Sequence, residues 1–416
     1  MFRNSIYLII SILILFPYPL GNIKGYHFST SYILMLLVFM FLPVAFTKNN
    51  YWRSSFTTLI WLVRVVFIII FLSASFKFGL SSSRIFSFVG YFMISFLYEI
   101  PFICNIEKKT FFKIFNTIVL FVLVYASIVI GYFAISQGSL VYSIPNIRKF
   151  LPLYPNHFSI LLILIYWIRQ YFVEKPHRVV DIWIILLVFI SLSRAAMATL
   201  LISFIINILM SKDANKWKKV ASLVLVLMLF IPASIYLMDL KGQSPGSTLE
   251  RTYHGRTARW EAALEQVKHS PIIGTGFDRT TSVISTYRSI SGQQAELGSM
   301  HNDYLDLLVK GGIVGLVSFL AVLLGIFVIG LKYNKSLVVL VVTIILTAFF
   351  QNPVKNLPIM FCLYFTVGIV LCDVSQGIYI KRQEKIIMGE RGENEHYYSS
   401  RCTTPVCKSS RCSQGN

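Results

Sequence analysis

Twelve apolar runs, separated by short basic loops, decide what solvent this chain can fold in. They lie at roughly 5–20, 31–46, 57–76, 85–104, 114–136, 156–172, 179–193, 195–210, 218–239, 312–331, 336–351 and 357–375. A straight helix needs about 20 apolar residues to cross the hydrocarbon core, a length that most of these runs approach. Only 13% of the chain is charged and 56% is hydrophobic, whereas a soluble domain carries about 25% charged residues. Such a chain cannot hide its apolar surface in one water-soluble core. The fold class expected is all-α: a polytopic membrane protein with about 12 transmembrane helices. The first run lacks a small-x-small cleavage site, its place being taken by Pro17, Tyr18 and Pro19, so it reads as a membrane helix rather than a secretory signal.

The net charge of +20 does not point to nucleic acid, because the basic residues sit in the connecting loops and form no basic face or RNA-binding motif. They carry orientation information instead. With the N-terminus inside, the inner short loops hold fourteen Lys and Arg residues and the outer ones seven. That bias places both termini in the cytoplasm. The organisation expected is transmembrane helices 1–9 over residues 1–239, a large periplasmic loop over 240–302, helices 10–12 over 303–375, and a disordered cytoplasmic tail over 376–416. Cys402, Cys407 and Cys412 in the tail match no zinc spacing, and Cys104, Cys362 and Cys372 read as small apolar residues.

The large loop contains short helices. Within Thr257–His269 the residues Trp260, Ala263, Leu264 and Val267 recur at helical spacing, and Pro271, Gly274 and Gly276 end the pattern. This helix is expected to lie on the membrane surface or against the bundle. Three sets of residues could carry chemistry. Arg194 falls between two apolar runs, where a charge is either functional or snorkels to the interface. Arg256 and Arg259 lie among the loop charges, and a guanidinium suits phosphate oxygens, although most charges in this run read as a solvated helix face. His301 and Asn302 stand where the chain re-enters the membrane; a histidine there is either a base or a structural hydrogen-bonding group. Asp303 and Asp306 are a weak metal signal. Gly311, Gly312 and Gly315 suit close helix packing.

Ser193-Arg194-Ala-Ala, Gly255-Arg256-Thr-Ala-Arg-Trp260, Ser270-Pro271-Ile-Ile-Gly274-Thr-Gly276, and His301-Asn302 followed after nine residues by Gly312-Ile-Val-Gly315 together resemble the O-antigen ligase and polymerase superfamily of bacterial envelope glycosyltransferases. The pieces span residues 193–315. The resemblance implies transfer of a glycan from undecaprenyl diphosphate to an acceptor hydroxyl at the periplasmic face of the inner membrane. The acceptor would be lipid A-core in a ligase or another lipid-linked glycan in a polymerase. It implies Arg194 and Arg256 as diphosphate-binding residues, Arg259 and Asn302 in support, His301 as catalytic residue, and an inverting transfer that needs no metal or cofactor. The absence of a GxxxxGK[ST] phosphate loop agrees. Ligase is the leading expectation, polymerase the alternative. A lipid-linked glycan transporter or flippase is the alternative of another class, and it would need charges distributed along several membrane helices. Arg64 is the clearest charge inside a run, with Glu99 and Asp181 near run ends.

Overall fold

The computed structural model describes residues 19–23, 26–29, 55–80, 82–104, 106–136, 155–173, 175–191, 193–211, 245–277, 286–288, 294–296, 301–351, 353–356 and 358–375, with a few single positions at 43 and between 215 and 228. The runs at 5–20, 31–46 and 218–239 lie almost wholly outside these residues, as does the tail. A two-stranded antiparallel ribbon of β1 (Pro19–Ile23) and β2 (Tyr26–Ser29) comes first. The helices are α1 (Ser55–Phe78), α2 (Ser82–Ile94), α3 (Ile100–Cys104), α4 (Lys108–Ser136), α5 (Pro155–Phe172), α6 (Arg178–Ile190), α7 (Arg194–Leu209) and α8 (Pro245–His269). After a second ribbon of β3 (Thr286–Arg288) and β4 (Gln294–Glu296) come α9 (Asp303–Tyr333) and α10 (Lys335–Phe350). The last is α11 (Pro358–Ser375). Among the described residues, four helices are long and apolar enough to cross a membrane: Ser55–Lys77, Lys108–Tyr132, Asp303–Tyr333 and Pro358–Ser375.

The bundle is helical throughout, and it departs from the sequence pattern in three places. The run at 85–104 was expected to be one helix but is three pieces, with a 3-10 turn at Ser95–Glu99 between α2 and α3. Pro101 explains the interruption, since it lacks an N–H and its ring crowds the carbonyl four residues earlier. The loop helix begins at Pro245 rather than Thr257, and the loop holds the small β3–β4 ribbon besides helix. Helix α9 begins nine residues before the expected run and contains a break at Gly312.

Helix ends are closed by short polar side chains. Ser193 caps α7, its hydroxyl accepting from the Ala196 N–H. Asn334 serves two helices: its N–H donates to the Gly330 carbonyl at 3.1 Å to close α9, and its side chain accepts from the Ser336 N–H at 2.9 Å to open α10. Lys335 at the start of α10 donates to the Met210 carbonyl, and Lys108 at the start of α4 pairs with Asp373 at the end of α11. These contacts define one end of the bundle. The opposite end therefore holds the starts of α7 and α9 and the close of α10.

The charges inside the apolar runs pair with each other. Arg64 meets Glu99 at 2.7 Å, donates to the Ser95 hydroxyl and carbonyl, and lies between the rings of Trp61 and Phe96. Arg169 and Gln170 both donate to Asp181. Removing one member of a buried pair strands a charge, at a cost of about 3–5 kcal/mol, whereas replacing both with apolar groups is often neutral. Glu99→Ala is thus expected to lower thermal stability in detergent sharply, and Arg64→Met/Glu99→Leu to recover most of the loss. Equal damage from single and double variants would show that the pair is not the source.

Candidate functional site

The segment following α8 is stitched into the break of α9. Gly312 has φ +61 and ψ −163, which interrupts the hydrogen-bond ladder. The carbonyls freed before the break accept from this segment: Val309 from the Thr275 N–H at 2.8 Å, and Lys310 from the Gly276 N–H at 2.9 Å. The N–H groups freed after the break donate to it: Ile313 to the Pro271 carbonyl at 2.9 Å, and Val314 to the Ile272 carbonyl at 3.1 Å. Unpaired backbone groups are costly in an apolar setting, and the two irregular stretches cancel each other's deficits. Contact this close leaves no space for side chains. A Cβ on Gly274 would stand 2.4 Å from the Lys310 carbonyl, and one on Gly312 would stand 2.2 Å from the Ile272 carbonyl oxygen. Gly312, read from sequence as a helix-packing glycine, instead marks a break in the helix. Gly311 and Gly315 keep an ordinary packing role, both against Ile70.

Phe277 secures the far end of the segment. Its ring is 1% exposed and packs among Phe67 of α1 and Phe88 and Tyr91 of α2. Arg84 is also buried here; it donates to the Gly79 carbonyl and lies beside Gly276.

The first half of α9 is held from three sides. Asp306 accepts from the Tyr91 hydroxyl at 2.6 Å and from the Lys310 ammonium at 3.0 Å. Asp303 accepts from the Val354 N–H at 2.7 Å, in the 3-10 turn Pro353–Lys355. Tyr304 donates to the Ile345 carbonyl of α10 at 2.7 Å. The two aspartates, weighed above as metal ligands, are thus each engaged by protein donors on different neighbours. Among the described residues no three His, Cys, Asp or Glu side chains cluster as a metal site.

His301 stands immediately before this pinned half-helix and is half-buried, with φ +48. A left-handed backbone at a non-glycine residue persists only where its surroundings hold it. Directly after it Asn302 caps α9, its side chain accepting from the Leu305 N–H at 3.1 Å. Asn302 itself is buried. His157, in the first turn of α5, lies within electrostatic range of His301, and its Nε2 is buried without a hydrogen-bond partner. Sequence reasoning missed His157 because nothing local to it marks a site.

Arg256 and Arg259 are half-buried on α8. That helix packs against the first half of α9 through Ala263, which touches Val309, with Val267 and Leu305 around them. Arg256 lies two turns before this contact. Arg194 is the first residue of α7, at the same end of the bundle as the start of α9. The fold therefore sets the elements bearing Arg194, Arg256, Arg259 and His301 at one end.

A comparison with known protein families finds that residues 179–320 match the family model described as O-antigen ligase. The match takes in α6, α7, α8, the stitched segment, His301 and the break of α9. No curated protein matches the chain.

Proposed function

We propose, from the match of residues 179–320 to the O-antigen ligase family model and the motifs shared with the ligase and polymerase superfamily, that this chain transfers a glycan from undecaprenyl diphosphate to the hydroxyl of lipid A-core. The observation that carries the reading is the coincidence of the family match with the one place where a broken membrane helix, a stitched loop and a strained histidine meet. In this reading both termini lie in the cytoplasm, residues 240–302 face the periplasm of the inner membrane, and residues 376–416 form a cytoplasmic tail.

The chemistry assigned to each residue follows from its type and placement. Arg194 and Arg256 hold the diphosphate, with Arg259 one turn from Arg256 to share the charge. Fixed guanidinium groups stabilise a leaving diphosphate best where water is scarce, and loss of one such donor typically costs a factor of about 10²–10³ in rate. His301 takes the proton from the acceptor hydroxyl as that oxygen attacks the anomeric carbon and the glycosyl–diphosphate bond breaks, with inversion. The bond is already activated, so neither nucleotide nor cofactor is needed. Asp303 and Asp306, each accepting from a protein donor through Oδ2, are assigned to the frame rather than to a metal.

Repeat-unit polymerisation is the second reading, because the same motifs serve both reactions. The transporter reading is weakened by the pairing of Arg64 with Glu99 and of Arg169 with Asp181, which leaves no ladder of separate charges along those helices. Deleting the gene and resolving envelope glycolipids on a gel separates the possibilities. A core bare of polymer, with long chains accumulating on undecaprenyl diphosphate, is the expected result. A core carrying one repeat unit would make the protein a polymerase, and unchanged surface glycans would remove the transferase reading.

A further inference from the structure

We infer that the tip Pro271–Ile273 is seated in the hydrocarbon edge of the bilayer, so that the segment after α8 is a membrane wedge rather than a loop in water. The argument begins with the outer face of α9. Ile313, Val317, Leu320, Leu324, Val328 and Leu331 are all exposed and recur at intervals of three or four, a single apolar stripe along a helix apolar enough to span. The stripe begins at the first residue after the break. No large apolar residue of α9 ahead of Gly312 is exposed to the same degree.

Length agrees with this boundary. From Ile313 to Tyr333 the helix covers about 31 Å at a rise of 1.5 Å per residue, against a hydrocarbon core of about 30 Å. At the far end Lys332 lies over the Tyr333 ring, the cation and aromatic pairing typical of an interface. The break therefore falls at the other edge of the core.

Ile272 continues the stripe. Its carbonyl bonds the Val314 N–H, which places it beside Ile313, and its side chain is 65% exposed next to an Ile313 that is 55% exposed. Backbone at membrane depth is tolerated where its polar groups are satisfied, and the bonds of this tip to α9 meet part of that demand. Pro271 has no N–H to satisfy, the Pro271 and Ile272 carbonyls bond α9, and the Gly274 N–H donates to the Ser270 carbonyl at 3.0 Å. The occupant of the exposed apolar tip is lipid because its surface is continuous with that of a lipid-facing helix.

Spin labels test this on the full chain, with its six cysteines replaced, in lipid nanodiscs. Labels are placed by Ile272→Cys, by Leu324→Cys on the stripe, and by Lys268→Cys on the polar face of α8. The ratio of oxygen to nickel-chelate collisions at 272 is expected to match that at 324 and to exceed that at 268 several-fold. A ratio at 272 equal to that at 268 would place the tip in water and overturn the inference, as would low collision with both reagents, the sign of a covering protein. A diazirine side chain introduced at 272 in the chain with its native cysteines gives the same decision without their removal. Lipid adducts support the wedge, whereas adducts with water or with another protein reject it.

Discussion

His301→Asn is expected to abolish glycan transfer in isolated membranes while leaving the protein at wild-type abundance. Asparagine is the informative replacement because the position has φ +48. Alanine there would add a backbone cost of about 1–2 kcal/mol and confuse loss of chemistry with loss of fold. Asparagine tolerates the left-handed region, keeps a polar side chain, and cannot serve as a base near neutral pH. Positioned general bases contribute about 10²–10⁴ in rate, so residual transfer should fall at least a hundredfold. The α9 cap is unaffected, since it is made by Asn302. Arg256→Ala belongs in the same experiment, with Arg256→Lys beside it: lysine restores the charge but not the two-pronged geometry, and should recover only part of the activity. Normal transfer by His301→Asn and Arg256→Ala together would sink the assigned site.

The second large effect is structural. Gly312→Ala and Gly274→Ala are each expected to remove most folded protein from the membrane fraction and to lower the detergent melting temperature of what remains. A methyl group on either would sit 2.2–2.4 Å from backbone atoms of the opposing stretch, and flexible side chains are not available to yield. Either the segment 271–276 lifts away, stranding backbone groups on both sides of the break, or the helix deforms. Damage above about 4 kcal/mol is uncommon for one substitution and is tied to mechanisms of this kind. Gly131→Ala is the control: that glycine sits in α4 with nothing near its Cβ position, so the change should be neutral or mildly stabilising, as alanine favours helix. If Gly312→Ala behaves like Gly131→Ala, the break is not a required feature.

Much of the bundle was legible because lipid imposes a simple rule. Apolar length predicts a helix, and the runs at 57–76, 114–136, 156–172, 195–210 and 336–351 each coincide with one. The candidate site was legible only in fragments. Ser270–Gly276 and Gly311–Gly315 are visible as glycine-rich pieces, yet nothing in either shows that the two complete each other's hydrogen bonds. That relation depends on φ at Gly312, which glycine permits but does not dictate. Tyr91, Asp306 and Lys310 were out of reach for another reason. A tyrosine in an apolar helix reads as packing until its partner, distant in sequence, is known. Asn302 was likewise not legible as a helix cap, because the apolar run was expected to begin only at 312 whereas the helix starts at Asp303.

The stitched break also separates two tasks that a continuous helix would join. Phe277 is fixed in the bundle and His301 is fixed at the head of a pinned half-helix. The stretch 278–300 connects these two positions in the sequence. Its sequence can be exchanged without disturbing the hydrogen bonds that pin the start of α9. A chimaera replacing 278–300 should therefore keep the melting temperature of the parent chain.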